Sequence, residues 1–564
     1  MRFQDMPYAR PDLEAVAAAC SRLTAQLEGA EAFAQADQAF LAMDRLRRSF
    51  DTQNQLARAR QQMNTADQFY DGETAFLDQA EPRLEECLQP WRSALLASPW
   101  RSRFAAKYGP LFLHNMELRR KCFQPSVLPL LQEENALQTA YGKLMASARI
   151  PFQGQLYTLS QLAFYETHPD QRLRRAAWQA EGEWCLAQAP ELDRIYDRLT
   201  RLRQDIARGL GFDSFVEVGY CRMLRVGYGR REVEGFRRGV KEHLVPLATR
   251  LLQAQAQRIG RPFPLSLADA ALVFAAGNPR PLGRPEEILR QGQRLYRELS
   301  PHTAEFYDYM LENGLFDVVS RPNKAGGGFC TGFADYASPF IFANFNGTAG
   351  DIDVVTHEAG HAFAYWQSRQ AVPIDYLWCG SETAEIHSMS MEFLTWPWAE
   401  LFFGPAADQY RYYHLAAALT FIPYGCMVDE FQHINYDHPD LSPQQRNQVW
   451  LDLAREYQPG LDLSGLPFFD QGRRWQRQLH IYELPFYYID YCLAQLVALE
   501  FWADMQKDPA RAWEDYLALV RAGGAADLAQ ALAAGRRGSP FDPAQVRTVA
   551  QAAAAWLEQQ AGAL

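Results

Sequence analysis

Apolar positions recur at helical spacing through most of this chain. From residue 11 to about 140, stretches such as LEAVAAACSRLTAQLEGAEAFAQADQAFLAMDRLRR keep them three and four apart, with no alternating run between. That pattern predicts long amphipathic helices. Near residue 149 the period shortens. RIPFQGQLYTL alternates Ile150, Phe152, Gly154 and Leu156, the signature of a short hairpin turning at Gly154. Helical spacing returns after Pro169 and runs to Gly209 and Gly211, and another helix is predicted from about 230 to 258. Proline and glycine then punctuate a loop-rich stretch, GRPFPLSLADAALVFAAGNPRPLGRP. Between 316 and 345 glycines mix with aromatic and β-branched residues, which reads as two or three short strands joined by turns. From 348 onward helical spacing dominates, and no fixed repeat suggests a solenoid. The fold class expected is mainly α, with a small β element directly before the stretch GTAGDIDVVTHEAGHAFAYW.

That stretch carries the pattern H-E-x-x-H at His357, Glu358 and His361. Thr348 suits the N-cap, with Asp351 three residues on in the place of a capping-box acid, and the helix is expected to end near Gln370, before Pro373. Histidines four apart project from one face about one turn apart. Two imidazoles so placed can both reach one tetrahedral ion at about 2.0–2.1 Å. Glu358, adjacent to His357, can lean over an open coordination position and take a proton from water there. Asp353, one turn earlier, either accepts a hydrogen bond from the outer nitrogen of His357 or is an ordinary solvated helix acid.

Two histidines need a third protein ligand. Downstream, GSETAEIHSMSMEFL offers Ser381 as the cap of a second helix carrying Glu382, Glu385 and Glu392, the last two on one face. Alone, Glu385 reads as an exposed helix acid. Beside a capped H-E-x-x-H helix, it reads as the carboxylate completing a His-His-Glu set for a hydrolytic zinc ion. His387, two residues from Glu385, points to a different helix face and is assigned packing or support rather than ligation.

Composition narrows the partners. The chain has 564 residues, a formal net charge of −11 and no long basic run, which argues against general nucleic-acid binding. No run approaches the ~18 apolar residues of a membrane span. Asp5, Arg10, Asp12 and Glu14 interrupt any apolar core of a secretory signal. The nine cysteines are scattered, with no C-x-x-C pair, as expected for reduced, mostly buried thiols in a cytoplasmic protein.

A third segment, HIYELPFYYIDYCLAQLVALEFW, begins at His480. Pro485 fits the first turn of a helix, on which Tyr488 and Tyr491, three apart, set their phenols side by side. A neutral phenol can donate to the oxygen that gains charge when a peptide carbonyl is attacked. The bland alternative is an aromatic stripe packed in the core.

Taken together, HEAGHAF (357 to 363), EIHSMSME (385 to 392) and HIYELPFYYIDY (480 to 491), with NKAGGGFCTGF and SPFIFANFNGT upstream, resemble the oligoendopeptidase F family of zinc metallopeptidases, relatives of thimet oligopeptidase. The resemblance spans about 145 to 550. It implies one Zn²⁺ per chain on His357, His361 and Glu385, Glu358 as general base to a zinc-bound water, and His480, Tyr488 and Tyr491 as contacts to substrate and transition state. It also implies a two-lobed helical ellipsoid with a deep channel. Residues 1–145 would form an N-terminal helical lobe and 146–564 the catalytic region, with the small β-sheet beside the zinc-binding helix.

The function expected is therefore a zinc metalloendopeptidase for short unstructured peptides. A peptidyl dipeptidase has similar ligand spacing, and the two differ in whether a channel cation captures the substrate's C-terminal carboxylate. A non-catalytic peptide-binding protein would have no need of Glu358 and an intact ligand set. The substrate is expected to add as an extra strand on the element ending in PFIFANF, where Pro339 and nearby glycines suggest a sheet edge. The competing arrangement makes that strand central, covered on both sides.

Overall fold

A computed structural model describes residues 1–561. Helices dominate as the apolar spacing predicts. Between Leu13 and Ala146 they include Leu13–Glu28, Phe33–Met63, Gln68–Ala97, Leu111–Lys121 and Leu128–Ala146. Several start on acids that satisfy otherwise orphaned amides: Asp12 accepts from the N–H groups of Glu14 and Ala15, and Asp67 from those of Phe69 and Tyr70. Those before Leu128 enclose a cluster of their own, including Leu23, Phe40, Trp91, Phe104 and Phe112, which Tyr376 enters from the later part of the chain; Leu137 and Tyr141 of Leu128–Ala146 join the main core. The extreme N-terminus crosses the other way. Phe3 stacks on Phe340, with ring centroids 4.3 Å apart, inside the main core.

The expected hairpin is present, with Ile150–Phe152 antiparallel to Gln155–Tyr157. Of the two or three strands expected between 316 and 345, three are present, and their order corrects one expectation. Ser338–Phe345 lies between Phe316–Val319, which pairs with it in parallel, and Phe329–Phe333, which pairs antiparallel. The strand ending in PFIFANF is therefore central, its backbone groups taken on both sides. It has no free edge for a peptide, and Pro339 sits opposite Gly332 at the end of the ladder. The sheet's outer members are Phe316–Val319 and Phe329–Phe333.

The central strand feeds directly into the histidine helix, Gly350–Ser368. Thr348 does not cap it; the Thr348 hydroxyl donates to Asn346 Oδ1, 2.7 Å away. The turn is held instead by Asp351, inside the first helical turn, whose two oxygens each accept a backbone N–H, from Asn346 and Gly347, at 2.8 Å. A buried carboxylate reaching back thus does the work expected of a hydroxyl reaching forward.

The glutamate helix, Ser381–Leu394, packs against the histidine helix, and the tyrosine helix, Tyr488–Met505, packs against both the glutamate helix and the long helix Ala407–Asp437. Ser381 is not the cap: its hydroxyl donates to buried Asp490 on the tyrosine helix, 2.7 Å away. Pro485 lies in the turn between Leu479–Glu483 and the tyrosine helix rather than in a helical first turn. Gly360, between the two histidines, lies at a close backbone approach of the histidine and glutamate helices. A Cβ there would stand 2.6 Å from Ser388 Cα and 2.7 Å from the His387 carbonyl oxygen, closer than non-bonded atoms approach.

Candidate metal centre

The crossing of these helices gathers residues far apart in sequence. Glu385 Oε2 lies 3.1 Å from His357 Nε2 and 3.3 Å from His361 Nε2. One ligand atom from each of the three residues falls within 4.8 Å of the others. The i, i+4 spacing brings the two rings side by side, centroids 5.0 Å apart, and the glutamate helix carries the carboxylate in from across the Gly360 contact.

The neighbourhood favours a positive charge at this point. Burial opposes protonation of His357, but its bonds to Glu385 and Glu392 outweigh it and raise the ring's pKa well above the ordinary value. Burial would raise the pKa of Glu385, and the two histidines overcome it, holding the carboxyl well below its usual range. Two nitrogens and one carboxylate oxygen, converging and nearly buried, fit the donor set of a hydrolytic zinc ion.

The outer nitrogen of His357 has a partner that sequence reasoning did not assign. Its Nδ1 lies 2.6 Å from Glu392 Oε1. Glu392 Oε2 lies 2.6 Å from His414 Nε2, and Trp396 donates its indole N–H to His414 Nδ1 at 3.1 Å. An indole nitrogen can only donate, so His414 Nδ1 accepts and its Nε2 carries the proton. Glu392, ionised by these contacts against the opposing effect of burial, accepts from both rings. His357 thereby keeps its proton on Nδ1 when an ion displaces the one on Nε2, the arrangement that raises ligand basicity. Asp353 does neither of the things expected of it. It accepts from the Tyr410 hydroxyl at 2.7 Å, with its pKa lifted by burial to about 6. Glu392 was legible as sharing the Glu385 face; its bond to His357 required knowing how the helices cross. We expect Glu392→Ala to weaken zinc retention about 10–100-fold, read by chelator competition, with the helical content unchanged.

Glu358 is buried, and its Oε2 has no hydrogen-bond partner among the described residues. Burial raises its pKa above the ordinary value. The other oxygen faces the backbone at Gly328, where a Cβ would come within 3.4 Å of it. A carboxylate with one bare oxygen, next to the ligand set and opened by a glycine, is free to hold a proton in transit.

The tyrosine segment contributes a chain of hydrogen bonds. Tyr424 donates to Gln478 Oε1 at 3.0 Å, and Gln478 Nε2 lies 3.1 Å from His480 Nδ1. The Gln478 amide therefore donates to Nδ1, which puts the ring's proton on Nε2, 3.1 Å from the Tyr491 oxygen. Burial lowers the pKa of His480 to about 4, so the ring is neutral near pH 7. Tyr491 receives a hydrogen bond from it and keeps its own O–H to give. Its pKa is raised well above the ordinary value, by burial first and then by the charge of Glu385, so the phenol stays a donor.

Tyr488 sits against Phe421 and Tyr424. Its neighbour Tyr487 lies outside the set read from sequence and donates to Glu385 Oε1 at 2.5 Å. The signal for it was its i, i+4 relation to Tyr491, whose ring centroid is 5.2 Å away. We expect Tyr491→Phe to lower kcat by about 10²–10³-fold and Tyr487→Phe to act chiefly on zinc retention. Parallel kcat and metal titrations of the two variants separate these roles, and the reverse pattern exchanges them.

His387 is buried, with Nδ1 3.8 Å from Cys379 Sγ, and burial lowers its pKa to about 3. It stays outside the ligand set, as its helix face predicts. A cavity of about 780 Å³ opens beside the centre, lined by Tyr487, Glu382 and Trp378 on this side and by N-terminal helices on the other.

Comparison with known proteins gives a consistent result. Residues 3–123 match the Peptidase M3 N-terminal domain and residues 302–548 match Peptidase family M3. PZ peptidase A, solved with an inhibitor, is 41% identical over 99% of both chains, with a TM-score of 0.98. A protein whose assignment as an oligoendopeptidase F is provisional is 43% identical over 99% of both chains, with a TM-score of 0.98. One from Bacillus anthracis strain Ames, likewise provisionally assigned, is 39% identical over 99% of this chain and 98% of its own, with a TM-score of 0.93. No curated protein matches the chain.

Proposed function

This chain belongs to peptidase family M3 and is a zinc metallopeptidase acting on oligopeptides, and from that premise we propose that it is an endopeptidase whose single zinc ion is held by His357, His361 and Glu385. The observation that carries the ligand assignment is the convergence of two imidazole nitrogens on one Glu385 oxygen. When bound, the ion supplies Lewis-acid polarisation and lowers the pKa of water at the open position.

The remaining roles belong to the chain itself. Glu358 accepts the proton of the attacking water on its unpartnered oxygen and returns it to the departing amine. Tyr491, with its oxygen engaged by His480, directs its O–H toward the carbonyl oxygen that becomes negative. Tyr488 supports the His480 ring, its centroid 5.2 Å away, and its hydroxyl remains available to substrate. Glu392 and Tyr487 hold the ligands.

The helices up to Lys121, with a cluster of their own, support an N-terminal lobe over 1–145 and a catalytic region over 146–564, while Leu137 and Tyr141 of Leu128–Ala146 pack into the main core. Among the described residues no helix is long and apolar enough to cross a membrane. The nine cysteines are free thiols, which supports a reducing, cytoplasmic setting. Oligopeptides are the partners proposed, and nothing in the charge pattern favours nucleic acid.

The test is a panel of internally quenched peptides of graded length, free and end-blocked, with and without a chelator. Cleavage inside end-blocked peptides, lost on chelation and restored by zinc, is expected. Cleavage confined to the penultimate bond of free-acid peptides would replace the endopeptidase by a peptidyl dipeptidase, and chelator-resistant cleavage would overturn the metal assignment.

A further inference from the structure

Tyr491 keeps its proton for a substrate only while its own oxygen is served by another donor. That donor, His480, stands at the end of a longer chain. The outer links are Tyr424, on the helix Ala407–Asp437, and Gln478, at the N-cap of the short helix Leu479–Glu483 that carries His480. Tyr424 donates to Gln478 Oε1 at 3.0 Å, Gln478 Nε2 donates to His480 Nδ1 at 3.1 Å, and His480 Nε2 donates to the Tyr491 oxygen at 3.1 Å. Every donor in the chain points the same way, toward the metal centre, and in such a chain each bond polarises the next.

The same side-chain positions admit a reversed network. Turn the Gln478 amide over, and its nitrogen donates to the Tyr424 oxygen while its oxygen accepts from His480 Nδ1. The imidazole proton then sits on Nδ1, the bare Nε2 takes the Tyr491 O–H, and the phenol has nothing left for a carbonyl oxygen. The two networks hold equal numbers of bonds and have opposite consequences. What separates them lies at the far end. The Arg474 guanidinium is over the Tyr424 ring, 4.5 Å from its centroid. A cation on the ring face draws charge from the phenol, which makes its O–H the better donor and its oxygen the poorer acceptor. Burial raises the pKa of Tyr424, so the phenol keeps its proton, and the charge of Arg474 works against that rise. Tyr424 therefore gives, Gln478 receives on Oε1, and the amide N–H is committed to His480.

We propose that Gln478 is a positioning residue for the hydrolysis, holding His480 in the tautomer that leaves the Tyr491 proton free for the substrate oxyanion, with Tyr424 and Arg474 setting the direction of the chain. This rests on the peptidase reading above, in which Tyr491 serves the oxyanion. It extends the machinery outward from the ligand set to the helix Ala407–Asp437, through side chains that act on the reaction only by way of His480.

The test is Gln478→Glu in the full-length zinc enzyme. The new side chain keeps the size and can accept from both Tyr424 and His480, but it cannot donate to Nδ1. The imidazole proton should move to Nδ1, a second proton being opposed by the burial that lowers the ring's pKa to about 4 in the wild type. Tyr491 should then turn its O–H to Nε2. The expected result is a fall in kcat of about 10²–10³-fold, the range for one lost oxyanion donor, with KM and zinc content unchanged. In a Tyr491→Phe background the same substitution should cost no more than about twofold, because the donor it misdirects is already gone. Nitrogen-15 spectra of histidine-labelled protein read the ring independently of turnover, with the His480 proton on Nε2 in the wild type and on Nδ1 in Gln478→Glu. Tyr424→Phe frees the amide to turn and should lower kcat about 2- to 10-fold; it carries the test should Gln478→Glu not fold. An unchanged kcat in Gln478→Glu, or in Tyr424→Phe where that variant stands in, overturns the inference. So does a loss that multiplies with that of Tyr491→Phe, or a wild-type ring protonated on Nδ1. A wild type that cleaves no quenched peptide overturns the peptidase reading instead, and the ring spectra still decide the tautomer.

Discussion

Glu358→Gln is expected to lose about 10²–10⁴-fold in kcat, the range spanned by a positioned general acid–base group, with zinc still at one ion per chain. The amide is nearly isosteric with the acid, so the packing around a side chain that is 5% exposed should survive. The ligand set is untouched, because His357, His361 and Glu385 make their contacts without Glu358. What disappears is the ability to accept a proton. The buried carboxyl has a raised pKa and one oxygen with no partner, both of which suit it to take a proton and release it. Rate measurements on a quenched peptide, paired with elemental analysis of the same sample, check the prediction. A near-normal rate would mean that another group carries the proton; loss of zinc would mean that Glu358 had been placed in the wrong shell.

Glu385→Gln should strike the metal itself. The carboxylate is 1% exposed and is the only acid of the ligand set. A neutral amide in its place removes the charge that offsets a dication in a low-dielectric site. It also disturbs two bonds that fix the ligand, from Ser388 Oγ at 3.0 Å and from Tyr487. Zinc retention should fall by more than the roughly 10–100-fold expected when a supporting partner is lost, and turnover should follow occupancy. Chelator competition reads the first and kcat at saturating zinc the second. Full occupancy in this variant would move the third ligand elsewhere.

The two experiments separate a residue that moves protons from one that holds charge, and the sequence already distinguished them. His357, Glu358 and His361 were legible because one helical turn is a fixed ruler, and Glu385 because a capped helix followed at a distance that allows return. Most elements were legible from period, including the hairpin at 150, and the two or three strands expected after 316 from glycines set among aromatic and β-branched residues. What the chain did not disclose was sideways. The central place of Ser338–Phe345 depends on a parallel partner, Phe316–Val319, that no turn signal announces. Glu392 could be put on the right face but not matched to His357 and His414, since that pairing needs the crossing of three helices. Thr348 and Ser381 have good capping chemistry and spend it elsewhere, Thr348 on Asn346 two residues back and Ser381 on Asp490 of the tyrosine helix. Tyr487 was passed over for Tyr488 because adjacent tyrosines differ by about 100° around a helix, and the phase is set by the turn at Pro485.

The contact at Gly360 bears on how the signature H-E-x-x-H should be understood. Written that way, the two middle letters are placeholders. Here the second of them is where two backbones meet, with no room for a methyl group between Gly360 and Ser388. The separation of the helices fixes how far the Glu385 oxygen stands from the imidazoles, so the bore of the ligand cage is machined by a residue that touches no ion. A larger side chain at this position would act as a shim, widening the cage while leaving every ligand in the sequence intact. A library built to alter which metal the site accepts would therefore do well to begin at the letter the motif leaves blank.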